Sequence, residues 1–427
     1  MSAALLGFMA VLLLLVLVMS KKVSPMVALI LVPVVMALVG GHGLKISEYI
    51  TDGIKTIAPT GVMFIFAILF FGILSDAGTF KPIIFRLLKL AGNDPAKVAV
   101  ASALLAMLVH LDGSGAVTFL VTIPALLPVY DTLKMKRTTL ACVVALGAGT
   151  MNILPWGGPT IRAASALEVP VTALFNPLLL PVIGGLIAVL IIAWFLGKAE
   201  RNLVSKTTVI LNESQEISPL ERPKLFWFNI GFILLSIGIL ISGILPPHVV
   251  FMLAFVIALM VNYPGIKQQS ERINDHAKAA LLMAGILFAA GCFTGIMKGA
   301  GMIDAMAEAS INVIPDAVGA HLPFITGLVS MPASMLFDPD SFYFGILPLL
   351  SETSVHFGAD AVEVGRAAIL GQMTTGFPVS PLTGSTFLLI GLAGVDLGEH
   401  QLRTIPYALI VTWIMLALAL LVGAISF

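Results

Sequence analysis

Apolar residues in this 427-residue chain arrive in blocks of roughly 20, and two of the longest blocks are broken in mid-course by proline, glycine and hydroxyl residues. A helix of about 20 residues crosses roughly 30 Å of hydrocarbon. With 59% hydrophobic and only 11% charged residues, the chain lacks the charge needed to cover a water-soluble domain. The blocks therefore predict an all-α polytopic membrane protein. Spans are expected at about 3–20, 23–42, 58–79, 137–170 (interrupted), 172–197, 225–244, 247–264, 278–298, 361–397 (interrupted) and 404–426, about ten crossings. Two further apolar stretches, 98–130 and 321–356, are split by LDGSG at 111–115 and FDPDS at 337–341, and each reads as a re-entrant hairpin. Segment 3–20 lacks the positive start of a signal peptide and is expected to be retained.

Charge placement orients these spans, because cytoplasmic loops are enriched in Lys and Arg. With the N-terminus outside, Lys21, Lys22, Lys81, Arg86, Lys89, Lys97, Lys134, Lys136, Arg137 and the basic residues of 198–224, Lys206 among them, all fall inside. Both termini are then outside the cytoplasm, in a cell (inner) membrane. The second hairpin is flanked by Asp304, Glu308, Asp316, Glu352, Asp360 and Glu363, so it is expected to enter from outside. A net charge of zero points to no nucleic-acid partner, and Cys142 and Cys292, inside apolar segments, read as packing residues rather than a disulfide or metal site.

GILSDAG at 72–78 laid over GIMKGAG at 295–301 defines a shift of 223 residues, which also superposes Pro155 on Pro378 and Thr160 on Thr383. The charge bias gives the two copies opposite orientations, so the chain is expected to hold two inverted-topology repeats. Repeat one is 1–200, with hairpin 98–130 and broken helix 137–170. Residues 201–223 form a cytoplasmic linker. Repeat two is 224–427, with hairpin 321–356 and broken helix 361–397.

Non-helical backbone inside a bilayer is tolerated only where protein shields it or water reaches it. Discontinuous helices meeting at a repeat interface are how secondary transporters present helix ends to ions and substrates. The first break, NILPWGGPTIR, offers Asn152, Gly157, Gly158, Thr160 and Arg162; the second, TTGFPVSPLTGST, offers Ser380, Thr383 and Ser385. A guanidinium at membrane depth is costly and is usually paired or functional, which singles out Arg162. The hairpin tips supply Asp112 with Ser114, and Asp338 with Asp340, as candidate ion or proton sites, although Asp is also an ordinary turn residue. His110 titrates near neutrality when unperturbed and is expected to pack at an interface, and Asp76 to end a helix. Neither HExxH nor GxSxG is present, so an intramembrane hydrolase is disfavoured, and the inverted repeat favours a carrier over a channel.

The strings SPMVALILVPVVMAL (24–38), APTGVMFIFAILFFGILSDAG (58–78), LDGSGAVTF (111–119), MNILPWGGPTIRAASAL (151–167) and DSFYFGILPLL (340–350) resemble the citrate-metal:proton symporter family of the ion transporter superfamily. The resemblance covers essentially the whole chain, although the first tip carries one acid fewer than the family pattern. It implies proton-driven uptake of citrate chelated to Mg²⁺ or Ca²⁺, with no permanently bound cofactor. It also implies an elevator-type homodimer with a mobile transport domain. A sodium-coupled di- or tricarboxylate carrier of the same superfamily is the alternative. A citrate trianion chelating a divalent ion is a net monoanion, which one Arg and two half-helix N-termini would hold. On this reading Asn152, Gly157, Gly158, Thr160 and Arg162 face substrate from one side and Ser380, Thr383 and Ser385 from the other. Asp112, Asp338 or Asp340 would carry the proton, with Ser114 beside Asp112.

Overall fold

The computed structural model describes residues 2–20, 22–201, 218–311 and 313–427; Lys21, Lys206 and most of the expected linker lie outside them, as does the side chain of Asp316. Among the described residues every regular element is helical. The N-terminal helices are α1 (Ala3–Met19), α2 (Pro25–Val39), α3 (Ile46–Asp76) and α4 (Lys81–Ala91). The first hairpin is α5 (Pro95–Val109) and α6 (Gly115–Thr132), followed by α7 (Arg137–Met151), α8 (Gly158–Ala166), α9 (Val171–Phe175) and α10 (Leu179–Ala199). Then come α11 (Phe226–Ser242), α12 (Pro247–Asn262), α13 (Ile266–Gly299), α14 (Met302–Ile311) and the short α15 (Asp316–Gly319). The second hairpin is α16 (Leu322–Ala333) and α17 (Leu347–His356), and the chain closes with α18 (Ala361–Ile369), α19 (Gly384–Ala393) and α20 (Leu397–Leu421).

Seven helices among the described residues are long and apolar enough to cross a membrane, and several shorter apolar helices accompany them. Two expected spans prove much longer. Segment 58–79 is the end of the 31-residue α3, and 278–298 is the end of the 34-residue α13. Hydropathy reports hydrocarbon contact rather than helix length, so the polar turns around Glu48, Asp52 and Lys55, and around Arg272 and Asp275, escaped it.

These two helices pack along a glycine seam. A Cβ on Gly53 would stand 2.0 Å from the Gly291 carbonyl oxygen, and one on Gly295 would stand 2.3 Å from that of Tyr49. Only hydrogen at these positions lets the backbones touch. At one end of the pair, Asp76 accepts from Arg272 at 2.9 Å and lies 2.9 Å from His276 Nε2. It therefore does more than end its helix.

The segment before α11 docks beside this corner. Glu221 pairs with Lys81 at 2.6 Å, and the Arg222 amide donates to the Ala77 carbonyl at 2.9 Å. The Lys81 ammonium, against Glu221, holds that carboxyl below its usual range. Both cysteines are free and buried.

The two parts of the chain interdigitate around the breaks. The arm α6 packs on α19, α7 packs on α20, and α8 packs on the π-helical turn 341–346. Residues far apart in sequence thereby meet at the centre.

Candidate functional site

The first break spans Asn152–Gly157, between α7 and α8. Pro155 and Pro159 remove amide donors, and a Cβ on Gly157 would fall 2.1 Å from the Asn152 carbonyl oxygen, so the turn closes only with glycine there. The second break runs from Leu370 to Thr383, with Met373 at φ 52° and a 3₁₀ turn at Phe377–Val379. The two breaks are tied directly, since Asn152 Nδ2 donates to the Met373 carbonyl at 2.9 Å.

Both hairpin tips land on the breaks. In the first tip, Asp112 accepts the Ser114 amide at 2.8 Å and Ser114 accepts the Val117 amide, a turn and a helix cap. Trp156 Nε1 donates to the Leu111 carbonyl at 2.7 Å, while its ring stacks on Phe71 at 5.1 Å. Gly115 sits so close to Ser385 that a Cβ would stand 3.2 Å from its hydroxyl. In the second tip, Asp338 accepts the amides of Asp340 and Ser341 and the Ser341 hydroxyl. Asp340 pairs with Arg162, Nε to Oδ1 at 2.7 Å, with both side chains buried. Ser380 donates to the Ser334 carbonyl at 2.5 Å, joining the second break to the same tip.

A cavity of about 630 Å³ opens beside these contacts, lined by Val18, Lys22, Val23, Ser24, Pro25, Asp338, Pro339, Asp340, Leu382, Thr383 and Gly384. Its charged lining residues are Lys22, Asp338 and Asp340, with Arg162 behind Asp340. The half-helix α19 begins at this wall. Its N-cap Thr383 makes no capping bond to an α19 amide, and its hydroxyl donates instead to the Phe377 carbonyl at 2.9 Å. The amides of that first turn remain available to an anion.

Of the residues singled out from sequence, Asp338, Asp340 and Thr383 line the cavity, Arg162 backs it, and Ser385 stands on the first turn of α19. Asn152 and Ser380 are buried where they bond to the second break and the second hairpin, and Thr160 is buried within α8. Gly157 and Gly158 shape the first break, and Asp112 and Ser114 form the first tip without lining this cavity. Residues that sequence reasoning missed include Ser334 and Gln372, which bond to each other at 2.9 Å behind the second tip. No motif marks them. Glu168, at φ 56° after α8, pairs with Lys298 on α13 and borders three smaller cavities. His110, expected to pack at an interface, is completely buried where the first hairpin meets Phe377 of the second break.

A family model for citrate transporters matches residues 4–371. The chain belongs to the citrate transporter family. It is a transporter, not an enzyme. It is 45% identical over 426 residues to a Bacillus subtilis (strain 168) citrate transporter, covering 99% of this chain and 100% of that protein. It is 42% identical over 430 residues to the Mg(2+)/citrate complex secondary transporter of the same strain, covering 99% of each. In fold it resembles the Alcanivorax borkumensis YdaH transporter, with TM-score 0.64 and 15% identity over 98% of this chain and 97% of that one. It also resembles Neisseria gonorrhoeae MtrF, with TM-score 0.62 and 15% identity over 91% and 86%. As a citrate transporter family member, the chain is a multi-pass membrane protein, and its second hairpin tip, the start of α19 and the α1–α2 connection line the cavity described above.

Proposed function

We propose that the protein takes up citrate as its complex with a divalent ion, Mg²⁺ or Ca²⁺, by symport with protons. The observation that carries this reading is the mixed charge of the cavity wall. Free citrate, a trianion, would meet Asp338 and Asp340 at close range, whereas a metal complex presents a cationic edge to them and a carboxylate to Lys22 and the first turn of α19. The name of the Mg(2+)/citrate relative supports the same substrate. Asp338 and Thr383 are the residues proposed to touch it, with Arg162 and Ser385 supporting them.

The carrier is proposed to work as two inverted repeats, 1–200 and 224–427, joined by the linker 201–223. Their hairpins and half-helices would form a mobile transport domain beside a scaffold containing α3 and α13, in a homodimer with both termini outside the cytoplasm. The convergence of both tips on both breaks supports such a domain.

Uptake of labelled citrate into proteoliposomes tests the reading, with Mg²⁺, Ca²⁺ or a chelator outside and with a proton or a sodium gradient imposed. Metal-dependent, proton-driven accumulation is expected. Metal-independent uptake driven by sodium would replace this reading with sodium-coupled carboxylate transport.

A further inference from the structure

Of the acids expected to carry the coupling proton, Asp338 accepts three donors and Asp340 pairs with Arg162, whereas Asp112 accepts only the Ser114 amide, on Oδ1. His110, two residues before Asp112 at the same junction, also has an unused site. His110 Nδ1 lies 2.8 Å from the Thr118 hydroxyl, and that hydroxyl donates its single proton to the Ser114 carbonyl at 2.7 Å. Thr118 can therefore only accept from the imidazole, which places the neutral ring's proton on Nδ1 and leaves a lone pair on Nε2. Nε2 is buried and makes no hydrogen bond.

From this hydrogen-bond chain and its surroundings we infer that His110 is the residue that takes up and releases the coupling proton. The inference rests on the proton-symport reading above. Protonation adds one proton from water to the Nε2 lone pair, converting imidazole to imidazolium, and release returns it to water with no other bond changed. The Phe377 ring lies nearly parallel to the imidazole at 5.8 Å and faces the cation with its electron-rich surface. Phe377 belongs to the second break and Thr118 to the first hairpin, so the protonated ring is held jointly by both. Water does not reach His110 in this arrangement, so proton exchange requires the tip and the breaks to part. A symporter needs that property to avoid leaking protons.

Ionisable neighbours are few. Asp112 shares the turn. On α3, which packs against the turn, Asp76 is held by Arg272 and His276 of α13, and Glu48, Asp52 and Lys55 lie toward the other end. Asp131 of α6 and Arg137 of α7 pair with each other at the far ends of their helices, and Arg162 of α8 is tied to Asp340. Residues 370–383 of the second break contain no ionisable side chain.

The test uses full-length protein in proteoliposomes with labelled citrate and Mg²⁺. For one coupled proton, an inward gradient of one pH unit supports about a tenfold accumulation ratio. H110N, whose amide replaces the donor to Thr118 but does not titrate, is expected to lose the gradient response and keep citrate counterflow, with H110Q read in parallel. A wild-type gradient response in H110N overturns the assignment. So does joint loss of counterflow and gradient response in a variant that melts like wild type. If neither variant folds, T118A decides, because removing the acceptor of the Nδ1 proton must move the pH midpoint of gradient-driven uptake and an unmoved midpoint overturns the assignment. A wild-type protein that responds to metal and citrate but not to the proton gradient would instead sink the symport reading itself.

Discussion

Arg162 Nε stands 2.7 Å from Asp340 Oδ1, so the first half-helix and the tip of the second hairpin are joined by an ion pair across 178 residues of sequence. Removing one partner of a buried pair strands the other charge, at a cost of about 3–5 kcal/mol. Arg162→Ala should therefore lower the melting temperature in detergent and abolish citrate uptake. The double variant R162Q/D340N should recover most of the melting temperature but not uptake, which separates the pair's structural part from its part in transport.

The glycine seam between α3 and α13 predicts a purely steric defect. In Gly53→Ala the new methyl would meet the Gly291 carbonyl at a distance no contact permits, so the helices must separate. Overpacking of this kind costs about 1–3 kcal/mol. Thermal unfolding should show that loss, whereas G231A, where a Cβ meets nothing within 4 Å, should unfold within a degree or two of wild type.

Glu200 caps a helix that is not its own. Its carboxylate accepts the Lys136 amide at 2.8 Å and the Thr139 hydroxyl at 2.5 Å at the start of α7, and the residue is only 3% exposed. Glu200→Ala leaves those donors without an acceptor, with an expected loss of about 1–2 kcal/mol in thermal unfolding. Amide exchange should rise first in the opening turn of α7.

Acid should loosen the segment before α11. Because Lys81 holds the Glu221 carboxyl below its ordinary value of 4.5, the pair contributes fully above that pH and its contribution falls away as the pH drops through the folded value below it. Amide exchange at 218–222 should accelerate over that acidic window in wild type and be fast at all pH values in K81M. An unchanged exchange profile in K81M would show that the pair does not hold the segment.

Much of this was legible in the sequence because membrane insertion leaves simple marks. Apolar length marked the helices, and the strings 152–162 and 374–386, rich in Pro and Gly, overlapped the breaks, which the structure places at 152–157 and 370–383. The hairpin tips were equally clear, since Gly113 adopts φ 75° where LDGSG turns. Partnerships were not legible. Arg162 stood out as a costly charge, but nothing near it in sequence names Asp340. Asp76 looked like a helix end because Arg272 and His276 reach it from a helix some 200 residues away. The partners of His110 were equally hidden, because neither Thr118 nor Phe377 signals that it will close over an imidazole.

The length of the zipped pair α3 and α13 has a consequence for the surrounding lipid. At 31 and 34 residues these helices are about 47 and 51 Å long, well beyond the roughly 30 Å thickness of the hydrocarbon. Glycine contacts prevent either from bending independently, so the rod must tilt or protrude as a unit, and the bilayer sets how far. Citrate uptake should therefore vary with acyl-chain length in reconstituted vesicles, and the protein should prefer one membrane thickness over others of the same charge.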